Sequence, residues 1–297
     1  MTNPTGLSIL IPTYNYDIRK LVHQLHEQLV QLGTPTEILC YDDASPDTSF
    51  KILNREISKL TNLTYVELKQ NLGRAAIRNK LALDAKYNKL LFIDCDSELT
   101  SPSFLENYIK QLGNYLALVG GTVYRETNSN PDYSLRWTYG KAREQLAAAE
   151  RNKAPYESLT LNNFFIDRDT FLAIKLDETI EGYGHEDTKF GYTLKKNTIS
   201  LTHINNPVIH CGLETNGCYL KKTETAIKNF YKLSQQGYGT ETRLFKSYKL
   251  LKTLRLAGLY RFAFSAFEKT IIRNLSSSNP SLLLFDLYKL KLLLQAN

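Results

Sequence analysis

Short apolar runs recur about every 25–30 residues through the first half of the chain, and stretches with helical periodicity separate them. An apolar run bounded by polar residues is typical of a strand that is buried on both faces of a sheet. Strands that alternate with helices form a mainly parallel, right-handed α/β sheet flanked by helices. The predicted strands are Leu7–Ile11, Glu37–Tyr41, Leu63–Leu68, Leu90–Ile93 and Leu116–Val119, followed by Asn162–Ile166 and Ile199–Ile204.

Three of these predicted strands lead directly into polar segments. The first is followed by Pro12-Thr13-Tyr14-Asn15, the second by Asp42-Asp43 and the fourth by Asp94-Cys95-Asp96. Ligands of open α/β sheets bind beyond the carboxyl ends of the strands. The sequence therefore predicts a ligand site at this edge of the sheet.

Asp94 and Asp96 flank Cys95 at the end of the fourth strand. Alternate residues of an extended chain point the same way, so both carboxylates can reach one point. Such ligands suit Mg²⁺ or Mn²⁺, which typically bind one or two carboxylates together with phosphate oxygens. The alternative is that both acids cap the next helix. His210 is either a hydrogen-bonded structural histidine or a further ligand of the same metal.

The segment from Asp42 to Asp47 fits an ordinary turn with a helix cap, and we expect that role for Ser45 or Asp47. Because the segment follows a strand of the sheet, one carboxylate of Asp42 and Asp43 can also accept the imide N–H of a uracil base.

Arg74 and Arg78 lie four residues apart and therefore share one helical face. They are either solvated surface charges or donors to a diphosphate, which guanidinium groups bind through several coplanar N–H groups.

Glu186 and Asp187 follow the glycine-rich segment Gly182-Tyr183-Gly184-His185. Glycine tolerates backbone conformations that bring a neighbouring acid close to a substrate. The acidic pair therefore predicts a general base, and the alternative is an ordinary first turn of a helix. Tyr183 and Tyr192 are suited to form flat walls for a sugar ring.

The composition is that of an ordinary globular protein, with 42% hydrophobic and 23% charged residues. The 297 residues suffice for one large domain with an appendage, or for two domains. We expect neither a membrane span nor a signal peptide. The four cysteines, which form no Cys-x-x-Cys pair, indicate free thiols and a cytoplasmic location; they are Cys40, Cys95, Cys211 and Cys218.

The net charge of +7 is concentrated near the C terminus. From Glu241 onward, ten Lys and Arg stand against three Asp and Glu, so the remaining residues balance at 27 of each. The sequence of this region predicts helices with a break at residues 276–280. Two interpretations stay open: a basic helical surface that binds the inner face of an anionic membrane peripherally, or an appendage that packs on the catalytic domain or on a second subunit of a homodimer.

Five motifs, in this order and spacing, resemble family 2 glycosyltransferases with the GT-A fold. The resemblance covers about residues 7 to 215 and leaves the C-terminal region outside, so a catalytic domain of residues 1–218 and a basic helical extension of residues 219–297 are expected. The glycine-framed acidic pair further resembles galactosyltransferases and chondroitin polymerases. The motifs are Pro12-Thr13-Tyr14-Asn15, Asp42-Asp43-Ala44-Ser45-Pro46-Asp47, Asn71-Leu72-Gly73 with Arg78-Asn79, Asp94-Cys95-Asp96, and Gly182-Tyr183-Gly184-His185-Glu186-Asp187.

The resemblance implies a role for each matching residue. Asp187 is the expected general base, and Glu186 is expected to hydrogen-bond the acceptor sugar. Apart from the resemblance, we expect Trp137, Tyr183 and His185 to contact the acceptor. The expected ligands of Mn²⁺ or Mg²⁺ are Asp94, Asp96 and His210. The expected nucleotide-sugar-binding residues are Pro12, Thr13, Tyr14, Asn15, Asp42, Asp43, Arg78, Asp94 and Cys95.

The implied reaction is metal-dependent, inverting transfer of a sugar from a nucleotide-sugar donor, expected to be UDP-linked, to a glycan or lipid-linked saccharide in polysaccharide biosynthesis. No nucleic-acid partner is expected. One rival is a nucleotidylyltransferase, which would be expected to carry a glycine-rich phosphate loop where this chain has Pro12-Thr13-Tyr14-Asn15. The other rival is a nucleotide- or sugar-binding module without catalytic activity, which retention of both acidic motifs disfavours.

Overall fold

A computed structural model describes residues 4–111, 113 and 115–296, which form two compact units. The first unit comprises the described residues of Met1–Val123, Gln145–Thr179 and Phe190–Gly212. The second unit comprises the described residues of Tyr124–Glu144, Ile180–Lys189 and Leu213–Asn297. The division at residue 218 that the sequence favours stays a prediction.

The strands that the structure describes all belong to the first unit. In chain order they are β1 Leu7–Thr13, β2 Thr36–Asp42, β3 Leu63–Glu67, β4 Lys89–Ile93, β5 Ser97–Leu99, β6 Ala117–Val119, β7 Thr122–Val123, β8 Asn163–Asp167, β9 Leu201–His203 and β10 Val208–His210.

Seven strands form one sheet in the order β3-β2-β1-β4-β8-β6-β9. β8 runs antiparallel to both of its neighbours, whereas the other pairs in this sheet are parallel. The predicted α/β fold with a mainly parallel sheet is confirmed, and each of the seven predicted strands occurs with its ends shifted by no more than two residues.

Both faces of the large sheet are covered by apolar side chains. Along β1, Leu10 enters one core together with Phe92, whereas Ile9 and Ile11 enter a second core on the opposite face. Burial of one such side chain contributes about 1.5–3 kcal/mol. This two-sided burial explains why the strands appear in the sequence as continuous apolar runs and not as alternating ones.

A second, three-stranded sheet has the order β5-β10-β7. β10 pairs antiparallel with β5, so that His210 lies opposite Ser97, and parallel with β7. The small sheet therefore fixes the segment immediately before Ser97 relative to the end of β10.

Several helices begin at a residue whose side chain caps the first turn. Asp47 accepts the Ser49 N–H at 2.9 Å, as predicted for this turn, and Asp167 accepts the Thr170 N–H at 3.1 Å. In chain order the α-helices of the described residues are α1 Arg19–Leu29, α2 Thr48–Asn54, α3 Arg74–Asp84, α4 Phe104–Ile109, α5 Ser134–Tyr139, α6 Ala148–Arg151, α7 Arg168–Ile174, α8 Glu186–Lys196, α9 Asn216–Gln235, α10 Arg243–Thr253, α11 Ala257–Leu275 and α12 Leu282–Gln295.

The second unit is helical and is organised by two apolar clusters. One cluster contains Tyr219 of α9, Phe264 of α11 and Phe285 of α12. The other contains Phe230 of α9 and Leu293 of α12. The predicted break at residues 276–280 separates α11 from α12. Across the described chain, no helix combines the length and the apolar character that crossing a bilayer requires.

Candidate active site

In the first unit, the carboxyl ends of three parallel strands lie next to one another, because β1 pairs with β2 on one side and with β4 on the other. Thr13 pairs in register with Asp42. The Asp43 N–H then donates to the Thr13 carbonyl at 2.8 Å. The polar segments that follow β1, β2 and β4 therefore begin at the same edge of the sheet.

Asp42 and Asp43 are both buried, and each holds part of the backbone in place. Asp42 accepts the Ser45 N–H at 2.8 Å and the Ser45 hydroxyl at 2.6 Å. Asp43 accepts the N–H groups of Leu72 at 2.7 Å and Gly73 at 3.0 Å, where α3 begins. Burial raises the pKa of Asp43, and these two N–H groups oppose that rise. A carboxylate oxygen can accept more than one hydrogen bond, so Asp43, which is 5% exposed, retains capacity for a ligand N–H.

Asn15 adopts a left-handed backbone conformation with φ of 48°. Its N–H donates to the Ser45 hydroxyl at 2.8 Å, and its side chain accepts the Asp47 N–H at 3.2 Å. The segment after β1 is thereby tied to the turn after β2. Tyr14, just before it, is exposed.

Arg78 is buried on α3, with only 4% of its side chain exposed. This residue is therefore not a solvated surface charge, which was one of the two interpretations of the sequence. Its guanidinium donates to Asp94 Oδ1 and, at 2.9 Å, to the Arg74 carbonyl. Removing one partner of a buried ion pair typically costs about 3–5 kcal/mol, because the other charge is left uncompensated. Arg78 therefore fixes Asp94 at the edge where β4 ends.

Asp96 and His210 are brought together by the pairing of the small sheet. Asp96 immediately precedes β5 and His210 ends β10, so the register places Asp96 Oδ2 3.4 Å from His210 Nδ1. The Cys211 N–H also donates to the Asp96 carbonyl at 2.8 Å. Burial disfavours the ionised form of Asp96, but His210 and the charge of Arg74 hold its pKa below the ordinary value.

Gly212 leaves the space that the Asp96 side chain occupies. A Cβ at position 212 would lie 2.1 Å from Asp96 Oδ2 and 2.7 Å from Asp96 Cβ and Cγ. Any larger residue would force the carboxylate to move. Gly212, two residues after His210, is visible in the sequence, but only the structure shows that it leaves room for Asp96.

Asp96 and His210 fit a metal ion whose remaining ligands come from a bound phosphate. Within residues 4–111, 113 and 115–296, no group of three or more His, Cys, Asp and Glu side chains could hold a metal. Asp96 Oδ1 is nevertheless buried and has no hydrogen-bond partner in the described structure, which is unusual for a carboxylate. Mg²⁺ and Mn²⁺ commonly take one or two protein ligands and complete their shell with phosphate oxygens and water.

Tyr16 is a component of this region that no sequence motif indicated. Burial, together with the charge of Asp96 and the neighbouring Cys95 and Cys211, raises the pKa of its phenol well above the ordinary value. Burial likewise raises the pKa of the Cys95 thiol, so both groups are neutral around Asp96. The first unit thus groups the predicted donor and metal residues of β1, β2, β4 and β10.

In the second unit, three residues before the acidic pair have positive φ: 77° at Gly182, 93° at Gly184 and 74° at His185. The turn is held against α9. The Asn229 side chain donates to the Glu181 carbonyl at 2.9 Å, and a Cβ at Gly184 would lie 2.9 Å from the Ala226 Cβ. Both the conformation and the close approach require glycine here.

Glu186 and Asp187 occupy the first turn of α8. This position agrees with one of the two interpretations of the sequence, the first turn of a helix. Glu186 is buried, and Asp187 Oδ1 accepts the Thr188 N–H at 2.8 Å. The positive end of the helix dipole stabilises negative charge at this position. A position in the first turn of a helix does not exclude the role of general base, because a carboxylate there can still accept a proton from a bound hydroxyl.

His185 is half-buried beside the Phe230 ring, with 5.1 Å between ring centroids, and its Nδ1 lies 3.1 Å from the Thr188 hydroxyl. Burial lowers its pKa to about 4; the charge of Lys289 adds to the shift and that of Glu186 opposes it. At neutral pH the imidazole is therefore uncharged.

The two aromatic residues expected at the acceptor also lie in the second unit. Trp137 on α5 donates its indole N–H to the Arg125 carbonyl at 3.0 Å. Lys222 on α9 places its ammonium 5.0 Å from the Tyr183 ring centroid. These contacts fix the orientation of both rings.

The chain matches known proteins in sequence. The model of the glycosyl transferase family 2 matches residues 8–172, more than half of the chain. The chain is 33% identical over 142 residues to poly(ribitol-phosphate) beta-glucosyltransferase of Bacillus spizizenii, covering 42% of this chain and 22% of that protein. It is 26% identical over 256 residues to chondroitin synthase of Escherichia coli, covering 75% of this chain and 34% of that protein. The chain thus spans at most about a third of the length of these relatives.

Two solved structures share the fold at identities too low to show more than the fold. The mannosyltransferase PcManGT from Pyrobaculum calidifontis, in complex with GDP-Man and Mn²⁺, has a TM-score of 0.52 at 15% identity, covering 79% of this chain and 67% of that one. Glucosyl-3-phosphoglycerate synthase from Mycobacterium tuberculosis, with Mg²⁺ and UDP, has a TM-score of 0.52 at 13% identity, covering 77% and 79%. The expected GT-A fold is confirmed.

The burial of His185 predicts its titration. An unperturbed histidine has a pKa of about 6.5, so the unfolded chain takes up the proton first as the pH falls. The stability that the neutral imidazole contributes is therefore present above pH 6.5 and is lost as the pH falls toward about 4. NMR of ring-¹³C-labelled histidine should show the His185 signal in its neutral position at pH 5.5, with the His185→Asn variant identifying the signal. A midpoint at or above the ordinary value would contradict the burial argument.

Proposed function

We propose that this chain, which belongs to glycosyl transferase family 2, transfers a sugar with inversion from a UDP-linked donor to a saccharide acceptor, using Mn²⁺ or Mg²⁺. The observation that carries the proposal is the Asp96–His210 pair, with its 3.4 Å separation and the buried Asp96 Oδ1. One oxygen ligand and one nitrogen ligand beside the strand ends suit a cation whose coordination shell is completed by a diphosphate.

The donor half of the proposal rests on the first unit. Thr13, Tyr14 and the Asp42/Asp43 pair would hold the nucleoside, and the Asp94 carboxylate would contact the ribose or a metal-bound water. Arg78 would act by holding Asp94, since its guanidinium already donates to that carboxylate. Two proteins of the same fold were crystallised with a nucleotide and a divalent metal, which supports this use of the fold.

Asp96 and His210 would hold the metal, and Asp94 would support it through water. The bound cation would neutralise negative charge that develops on the departing diphosphate, as a Lewis acid does. Gly212 would keep the Asp96 carboxylate in position, because a Cβ there overlaps it.

Asp187 would act as the general base. The acceptor hydroxyl oxygen forms a bond to the anomeric carbon, the bond from that carbon to the diphosphate oxygen breaks, and the hydroxyl proton passes to the Asp187 carboxylate. Attack opposite the leaving group inverts the anomeric configuration. Glu186 would hydrogen-bond the acceptor, and Tyr183, His185 and Trp137 would contact its rings; the neutral His185 can donate or accept one hydrogen bond.

The acceptor is proposed to be a growing glycan or a lipid-linked saccharide. The two curated relatives are named for transfer to poly(ribitol-phosphate) and for synthesis of chondroitin, both polymers. Their names support a polymeric acceptor for this chain. A module without catalytic activity would bind UDP-sugar but would not hydrolyse it when supplied with Mn²⁺, which separates that rival from an enzyme.

Asp187→Asn should abolish transfer while UDP affinity stays within about twofold, because the amide cannot accept the proton. Positioned base catalysis contributes about 10²–10⁴-fold, and a loss of kcat in that range is expected. Initial rates of UDP release and calorimetric titration with UDP would measure the two effects.

The matched control is Asp169→Asn, which removes an exposed acid from the first turn of another helix, α7. It should retain normal turnover. If Asp187→Asn turned over at the normal rate, Asp187 would not be the base.

Asp96→Ala and His210→Ala should each weaken UDP binding in Mn²⁺ at least about tenfold and change it little in EDTA, as expected for lost metal ligands. Gly212→Ala should do the same without removing a ligand, because its Cβ displaces the Asp96 carboxylate. Calorimetry with and without metal would measure the difference.

Gly217→Ala is the control, since a Cβ at that glycine meets no atom within 4 Å. It should bind UDP normally under both conditions. Equal losses in Mn²⁺ and in EDTA for the three site variants would show that Asp96 and His210 act structurally.

A further inference from the structure

Helix α11 carries apolar side chains on two opposite faces. Phe264, Ile271 and Leu275 face inward and are buried within the second unit. Leu259, Phe262, Ala263, Ala266 and Phe267 follow the i, i+3, i+4, i+7, i+8 spacing of a single stripe, and all five are exposed. The exposed fractions of the large side chains are 64% for Leu259, 77% for Phe262 and 65% for Phe267.

The preceding helix and linker extend the set of exposed apolar residues. Leu250 of α10, together with Leu254 and Leu256 just after it, is exposed by 58%, 55% and 40%. These residues follow one another closely in the sequence, and grouped exposed apolar side chains mark an interaction surface more often than isolated ones do. We call these six large residues the apolar surface: Leu250, Leu254, Leu256, Leu259, Phe262 and Phe267.

The same segment is strongly basic. Between residues 243 and 273 there are eight Lys and Arg and one acid, Glu268, which pairs with Lys291 at 3.0 Å. Among the residues that the structure describes, none of the eight cations forms an ion pair. They are Arg243, Lys246, Lys249, Lys252, Arg255, Arg261, Lys269 and Arg273.

The geometry points to an anionic lipid bilayer as the occupant of the apolar surface. Leu and Phe side chains on a helix with many Lys and Arg suit the interface of a membrane, where the apolar groups enter the acyl boundary and the cations meet lipid phosphates. Long basic side chains can extend to the headgroups while their stems lie along apolar surface.

A second copy of the chain fits this surface less well. A two-fold interface brings the same residues of both copies together, so the unpaired cations of this segment would be brought toward their counterparts in the other copy. Like charges opposed across an interface disfavour association. The docking surface uses residues of the second unit alone and is independent of the proposed transfer, so either can fail without the other.

Co-sedimentation of the full chain with vesicles tests the proposal. The chain should pellet with vesicles that contain phosphatidylglycerol at low salt, should be released at high salt, and should stay in solution with pure phosphatidylcholine. The double variant Phe262→Ser/Phe267→Ser should bind at least about tenfold more weakly, because two large apolar side chains no longer enter the lipid. Lys246→Gln/Lys249→Gln should bind more weakly at low salt and show a smaller salt dependence, since six of the eight cations remain.

Leu83→Ser is the control, because Leu83 is an exposed leucine, 58%, on α3 of the first unit and lies outside the apolar surface. It should bind vesicles as the unchanged chain does. Circular dichroism and UDP titration would confirm that each variant is folded. Absence of pelleting with anionic vesicles, or equal pelleting of the Phe262/Phe267 variant, would overturn the proposal. So would light scattering that showed a dimer which this variant converts to a monomer without any binding to vesicles.

Discussion

The antiparallel pairing of β5 with β10 is the constraint on which the candidate metal site depends. It joins segments more than a hundred residues apart and sets Asp96 beside His210. Gly212 must follow without a side chain, because Asp96 fills the space where its Cβ would be. Arg78 then holds Asp94 from the neighbouring helix, and Tyr16 and Cys95 stay neutral around the carboxylate. The three-stranded sheet thereby positions the candidate metal ligands Asp96 and His210, whereas the large sheet supports the segments around them.

Much of the large sheet could be predicted, since most of its strands lie in short runs rich in apolar residues. The antiparallel direction of β8 could not, because an apolar run carries no sign of its orientation. β5 is Ser-Glu-Leu and β7 is Thr-Val, so neither has the apolar run that marks strands of the large sheet. The acids at the strand ends were identifiable as candidates, but the partners of Asp43 at Leu72 and Gly73 depend on how α3 approaches the sheet.

In the second unit, the conformation of the turn could be predicted from the sequence, but the contacts that support it could not. The glycines before Glu186 were visible in the sequence, and their positive φ values follow directly from that choice of residue. The support from Asn229 on α9 was not visible, because it comes from a residue 40 or more positions away whose partners are backbone carbonyls. The low pKa of His185 likewise arises from burial, which the sequence does not record.

Pulsed EPR of the Mn²⁺ complex in the presence of UDP tests the central claim most directly, because it identifies the nuclei bound to the metal. With ¹⁵N-labelled histidine, the account predicts coupling of Mn²⁺ to ³¹P of the diphosphate and to one imidazole nitrogen, with the nitrogen coupling absent in His210→Ala. Coupling to ³¹P without any imidazole nitrogen in the unchanged protein would contradict the assignment of Asp96 and His210 as the metal pair.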